Sequence, residues 1–257
     1  MTYSAFDLTG QVALVTGGNS GIGLGIAQAL ALAGADIAIW GTNSGKNAAA
    51  RDRLAMTGRR VLALECDVGD EAAVAAAFAE TLSVLGRVDG CFANAGIAPA
   101  GVKSFGEMSS QEWHRVLRVN LDGAFYTFRA AVRHMVQRGG AGVLVGTASV
   151  AALHGSQRSE HYAATKSGLI GMIRGLAVEY ARHGIRAHCI LPGWIETDMT
   201  RALTSDERFE AAVMSRIPLR RWGEGADFGG IAVYAMSSAS SYHTGDTFVI
   251  DGGYTLY

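Results

Sequence analysis

Cysteine, proline and lysine are all scarce in this 257-residue chain, at three residues each. The cysteines (Cys66, Cys91, Cys189) stand alone in apolar, strand-like surroundings with no C-x-x-C spacing, so neither a disulfide framework nor a thiolate metal site is expected. The seven histidines include no H-E-x-x-H, and no metal site is expected from them either. Three prolines (Pro99, Pro192, Pro218) leave no obvious place for a linker, and no repeat or low-complexity tract divides the chain, so one domain over 1–257 is expected. Charge nearly cancels, with 22 basic and 23 acidic side chains, which argues against nucleic acid or an anionic membrane as a partner. The most apolar stretch, 21–41, is rich in Ala and Gly and is broken by Gln28 and Asp36, a poor membrane span. The opening MTYSAFDLTG has no basic region followed by an apolar core, and a cytoplasmic protein is expected.

What is abundant is alternation. Short apolar or β-branched runs at 12–16, 36–40, 61–66, 88–93, 142–148, 186–191 and 247–252 are separated by helix-periodic segments, notably 21–33, 71–85, 111–137, 161–182 and 226–237. Strand and helix in turn predict βαβ units. Right-handed crossovers then fold them into an α/β domain of Rossmann-like, doubly wound type, its seven-stranded, mostly parallel sheet covered by helices on both faces.

The first candidate strand runs into TGGNSGIGLGIAQAL, where Gly17, Gly21 and Gly23 lie between strand and helix. A glycine-rich turn there lets main-chain N–H groups and the helix N-terminus approach a pyrophosphate. The spacing G-x-x-x-G-x-G carries no P-loop lysine, which points away from ATP hydrolysis. Further on, Tyr162 and Lys166 stand four apart in a helix-periodic segment, so phenol and ammonium share one face about one turn apart. An ammonium beside a phenol favours the phenolate, which is the outline of a general acid/base. Lysine at 166 is one of only three among the 22 basic residues, and it supplies a compact, tunable charge.

Together these segments resemble the short-chain dehydrogenase/reductases: TGGNSGIG, CDV at 66–68, ANAG at 93–96, Asn120 in RVNLDG, Ser149 thirteen residues before Tyr162, YAATK at 162–166, PGWIETDM at 192–199 and DGG at 251–253. The resemblance implies an NAD(P)-dependent oxidoreductase interconverting a secondary alcohol and a ketone. In it Tyr162 is the acid/base, Lys166 lowers its pKa and holds the nicotinamide ribose, Ser149 donates to the substrate oxygen, and Asn120 anchors a water leading from Lys166 to solvent. By the same resemblance the cofactor is held by Gly17, Asn19, Ser20, Gly21, Ile22 and Gly23. Asp67 and Val68 lie at the adenine, Asn94, Ala95 and Gly96 along the ribose and pyrophosphate, and Pro192, Gly193, Ile195 and Thr197 towards the carboxamide. Where an NAD enzyme usually presents a carboxylate, the second strand ends in Gly41. Thr42, Asn43, Ser44 and Lys46 could donate to a 2′-phosphate, so NADP is favoured over NAD.

The run 194–222 after the sixth strand is too long for a plain connection and is expected to form a helical lid over the substrate; the family resemblance puts Ala98, Ala151, Leu153, His154 and Trp194 near it, which implies a moderately apolar pocket. Relatives of this kind act on sugar acids, polyols and 3-oxoacyl thioesters, and no residue chooses among these. The segments 111–137 and 161–182 carry more apolar surface than one sheet face needs, and relatives commonly pair these helices across subunits, so the resemblance implies a homotetramer, or failing that a dimer. The competing reading is a catalytically silent nucleotide-binding regulatory protein on the same fold, against which the intact Asn120, Ser149, Tyr162 and Lys166 stand.

Overall fold

The computed structural model describes residues 4–201 and 207–256. Seven strands form one sheet: β1 (Val12–Thr16), β2 (Asp36–Gly41), β3 (Val61–Glu65), β4 (Gly90–Ala93), β5 (Gly142–Thr147), β6 (Ile185–Pro192) and β7 (Thr247–Ile250). Their order is β3-β2-β1-β4-β5-β6-β7, and every neighbouring pair is parallel. The winding reverses between β1 and β4, and the carboxyl ends on either side of that point border a crevice.

The pleat divides the apolar residues between two cores. Along β1, Val12 and Leu14 join Trp40, Phe78 and Phe128 on one face, while Ala13 and Val15 join Ile26, Ile39 and Phe228 on the other. The first face is covered by α3 (Glu71–Leu85), α5 (Gly123–Gln137) and α6 (Glu160–Tyr180), the second by α1 (Gly21–Leu32), α2 (Ser44–Ala55) and α8 (Gly229–Met236). Two further helices, α4 (Ser110–Leu117) and α7 (Glu207–Ser215), lie towards the crevice end.

Three elements differ from expectation. Helix α2 occupies a stretch not named among the helix-periodic segments: Asn43 caps it by accepting from the Lys46 N–H at 2.9 Å, and AAARDRLA continues it. The expected helix over 111–137 is two helices, α4 and α5, joined by a π turn at Arg118–Asp122. The wider turn swings Asn120 onto the main chain of Ile97, and α5 then begins at Gly123, where a Cβ would lie 2.7 Å from Val68 Cγ2. The expected helix over 226–237 starts as a 3-10 turn, Gly225–Phe228, before α8. Among the described residues no helix is long and apolar enough to cross a membrane, and no group of three or more His, Cys, Asp or Glu is arranged to hold a metal ion.

Candidate active site

A strip of hydrogen bonds ties the carboxyl ends of β1, β4 and β5 together beneath the crevice. Thr16, at the end of β1, accepts from the N–H groups of Asn94 and Ala95 at 3.1 Å each, and Asn94 Nδ2 donates back to the Thr16 carbonyl at 3.1 Å. Thr147 Oγ1 donates to Asn94 Oδ1 at 3.2 Å, and Lys166 Nζ donates to the Thr147 carbonyl at 2.8 Å. Neither Thr16 nor Thr147 stood out in the sequence, where a threonine in an apolar run reads as an ordinary β-former. Asn94 is thus a strut between strands, its side chain committed to protein groups.

The glycine-rich turn is built against this strip. Gly17 has a φ of +63°, which β-branched or bulky residues rarely adopt. A Cβ on Gly23 would sit 2.2 Å from the Gly17 carbonyl oxygen and 2.5 Å from Asn94 Nδ2, so the helix can approach the turn only as glycine. Gly21 lies against Thr197 in the same way. Ser20 occupies the N-cap of α1 without capping it, which leaves its hydroxyl and the first-turn N–H groups for an anionic ligand. Ile22 packs into the core, so only its main chain can serve there. A cavity of about 670 Å³ runs from Asn19, Ser20 and Gly21 to Glu196, Thr197 and Lys46. Its lining takes in the glycine-rich turn and the Thr197 end of the expected cofactor site, and does not reach Tyr162 or Lys166.

At the end of β2, a Cβ on Gly41 would meet Asn19 Nδ2 at 2.2 Å. Asn19 in turn donates to Asn47 Oδ1 at 2.7 Å, and buried Asn47 donates to the carbonyls of Gly41 and Leu64. Thr42 is exposed, Asn43 caps α2, and Lys46 is paired with Asp198 at 2.7 Å across the cavity. Asp67 accepts from the Gly69 N–H and pairs with Arg118 at 2.9 Å; against a burial effect that raises it, these contacts hold its carboxyl below the usual range. Val68 is buried against Gly123. Pro192 ends β6, Gly193 passes so close to Asp251 that a Cβ would lie 2.7 Å from its Cα, and buried Ile195 bridges Gly223. The Thr197 N–H donates to Thr200 Oγ1 at 3.0 Å.

The four residues expected to carry the chemistry converge from three places: the π turn, the end of β5 and α6. Ser149, after β5, accepts from the Ala151 N–H at 3.1 Å, so it caps a short turn, and it lies near enough to the Tyr162 phenol to act on it electrostatically. Lys166 lies on the same face of α6, its ammonium 5.4 Å from the centre of the Tyr162 ring. Gly96 separates Lys166 from Asn120: a Cβ there would lie 3.5 Å from Lys166 Nζ and 3.3 Å from Asn120 Oδ1. Both polar groups of buried Asn120 are used by Ile97, accepting from its N–H at 2.8 Å and donating to its carbonyl at 3.0 Å. The side chain therefore fixes residues 94–97 against Lys166.

Electrostatically, burial dominates. It raises the Tyr162 phenol above its ordinary value, with nearby Ser149 working downwards, and it pushes the Lys166 ammonium down to about 8. The neighbouring lysine expected to lower the phenol points its proton at Thr147 instead. Behind the centre, Glu112 bonds Arg115, the Ala100 N–H at 2.8 Å and His161 at 3.3 Å. The Arg115 bond above all holds the Glu112 carboxyl down at about 2. This brace, absent from the sequence expectations, joins α4 to the start of α6 one residue before Tyr162.

The described part of the expected lid, 194–201 and 207–222, contains α7, and 202–206 lie outside the described residues. Trp194, Phe209 and Trp222 form a small aromatic cluster, joined by Tyr254 from the C-terminal turn. His154 and Leu153 are exposed, His154 standing edge-on to Tyr254 with ring centres 6.1 Å apart. Ala151 is half-buried, and Ala98 accepts from Arg115 through its carbonyl at 2.8 Å.

A family model described as Enoyl-(Acyl carrier protein) reductase matches residues 17–255. The 2-dehydro-3-deoxy-D-gluconate 5-dehydrogenase of Escherichia coli is 35% identical over 254 residues, covering 99% of each chain. The 3-oxoacyl-[acyl-carrier-protein] reductase of Chlamydia pneumoniae is 36% identical over 248 residues, covering 96% of this chain and 98% of its own. The solved gluconate 5-dehydrogenase of Burkholderia cenocepacia, in complex with NADP and tartrate, superposes with a TM-score of 0.92 at 36% identity, covering 99% of this chain and 98% of that one.

Proposed function

The chain belongs to the short-chain dehydrogenase/reductase family, and from that premise we propose that it interconverts a secondary alcohol and a ketone with Tyr162 as the general acid/base. It is an oxidoreductase of the NAD(P)-dependent kind. The observation that carries the assignment is the placement of Tyr162 beside buried Lys166 and near Ser149, at the carboxyl edge of the sheet. Bound NAD(P) supplies the hydride acceptor or donor. Ser149 donates to the substrate oxygen and orients it; Tyr162 gives or takes the proton at that oxygen. Lys166 presents donors to the nicotinamide ribose and, when charged, stabilises the phenolate formed as Tyr162 gives up its proton. Asn120 and the Glu112 brace are positioning residues. Gly17, Asn19, Ser20, Gly21, Ile22, Gly23, Asn94–Gly96 and Ile195–Thr197 line the cofactor, with the 194–222 segment as a lid on a single domain.

We favour NADP over NAD. Support comes from Gly41 in place of a carboxylate, the exposed Thr42, and the N-terminus of α2 at that edge; the Burkholderia relative's NADP agrees. Lys46 would exchange Asp198 for the 2′-phosphate. Titrating with NADPH and NADH while following nicotinamide fluorescence tests the choice, and clearly tighter NADH binding would overturn it. A panel of sugar acids, polyols and acyl thioesters assayed by NADPH absorbance tests the reaction class. A homotetramer is supported by exposed Phe125 on α5 and Val178 on α6; a light-scattering mass of one chain would refute it. Three free, buried cysteines suit the reducing cytoplasm.

A further inference from the structure

Resting on the oxidoreductase reading above, we propose that Arg216 and Tyr254 form an anchor for a carboxylate on the substrate, so that the site is built for small hydroxy or keto acids. Tyr254 stands where three parts of the substrate face meet. Its ring lies 6.1 Å from His154, five residues beyond Ser149, and 6.2 Å from Trp194, which directly follows the end of β6. On its other side the Arg216 guanidinium, just past the end of α7, lies 4.3 Å from the ring centre and donates to the phenol oxygen at 2.8 Å.

Of the other arginines nearby, Arg220 is spent on the main-chain carbonyls of Met214 and Ser215. Arg201 pairs with Asp198, and Arg221 pairs with Asp227 at 2.7 Å. Arg216 has no carboxylate among the described residues, and a guanidinium carries five donors, of which the phenol takes one. The tyrosine fixes the fork by stacking and hydrogen bonding, which reduces the freedom lost when a ligand binds.

The surrounding aromatic cluster holds further donors. The indole N–H groups of Trp194 and Trp222 are buried without an acceptor among the described groups. A buried donor left unmatched is costly, so a cluster of this kind complements an oxygen-rich anion. A planar guanidinium meets a carboxylate through two parallel hydrogen bonds. A neutral polyol brings no charge to it, and an acyl thioester brings an apolar chain.

The test compares D-gluconate with D-glucitol, which differ at C1 by carboxylate against hydroxymethyl, in steady-state oxidation with NADP, alongside further aldonic acids and their alditols. The wild type is expected to prefer the acids through KM. Arg216→Gln should raise the acid KM about tenfold with kcat within about twofold, so that the acid-to-alditol ratio collapses; Arg216→Lys should restore part of it, and the KM for NADP should not move. Thermal unfolding of each variant controls for folding. An unchanged ratio in Arg216→Gln, an equal loss on acid and alditol, or a wild type that oxidises only alditols or a 3-hydroxybutyryl thioester overturns the proposal while leaving the oxidoreductase reading intact. Loss of that reading would show separately, as wild-type-like turnover in Tyr162→Phe.

Discussion

Replacing Lys166 with methionine should stabilise the protein at neutral pH while abolishing turnover. The lysine is 4% exposed, has no carboxylate partner among the described residues, and holds one hydrogen bond, to the Thr147 carbonyl. Burial lowers its pKa from 10.5 to about 8, and at about 1.4 kcal/mol per pH unit the buried ammonium costs on the order of 3 kcal/mol. Losing the Thr147 bond takes back about 1–2 kcal/mol, so a net gain of about 1–2 kcal/mol remains, or a Tm rise of about 2–8 °C for a chain of this size. The sign follows from which state holds the proton. Between about pH 8 and 10.5 the unfolded chain keeps it and the folded chain does not, so wild-type stability from this group rises with pH through that window. The methionine variant lacks that rise. Its advantage should be full below pH 8 and fade by 10.5, read by urea unfolding of both proteins at pH 7 and pH 10 without cofactor. A variant less stable than wild type at pH 7, or a difference that ignores pH, refutes the reasoning.

The remaining expectations concern the frame around the centre. Gly23→Ala drives a Cβ onto the Gly17 carbonyl and Asn94, both parts of the β1–β4 strip. It should cost about 1–3 kcal/mol of stability and weaken NADPH binding roughly a hundredfold, measured by urea unfolding and fluorescence titration. Glu112→Gln removes the charge that holds Arg115 and His161 behind Tyr162, and should lower kcat with little change in the KM for cofactor. Because the folded pKa of Glu112 is depressed to about 2, the stability it contributes is present above about pH 4.5 and lost as pH falls towards 2. The variant should therefore trail wild type at pH 7, and the gap should narrow as pH falls from 4.5 to 3; a constant gap would count against the brace.

The sheet was legible because its strands are near-continuous apolar runs, buried on both faces in all but the edge strands β3 and β7, and the seven runs recur as seven strands within a residue or two. Helix α2 was missed because its opening Ser44-Gly45 reads as turn and its polar face hides the period, although Asn43 before an alanine-rich run was a usable N-cap signal. The π turn at 118–122 could not be read, since it depends on Asn120 meeting Ile97 across 23 residues. At the centre, helical spacing brought Tyr162 and Lys166 together, as expected. What spacing could not give was the environment: burial, which reverses the expected direction of the phenol's shift, and the Thr147 carbonyl that holds the ammonium. The Arg216–Tyr254 pair, 38 residues apart and brought together by the lid and the C-terminal turn, left no local signal.

The central claim is that the Tyr162 hydroxyl moves the proton. Tyr162→Phe keeps the ring beside Lys166 and removes only the oxygen. Measured on one preparation, NADPH binding should stay within about twofold of wild type, while single-turnover reduction of the best ketone falls by roughly a hundredfold to ten-thousandfold. Wild-type-like turnover in that variant, with binding intact, would contradict the account.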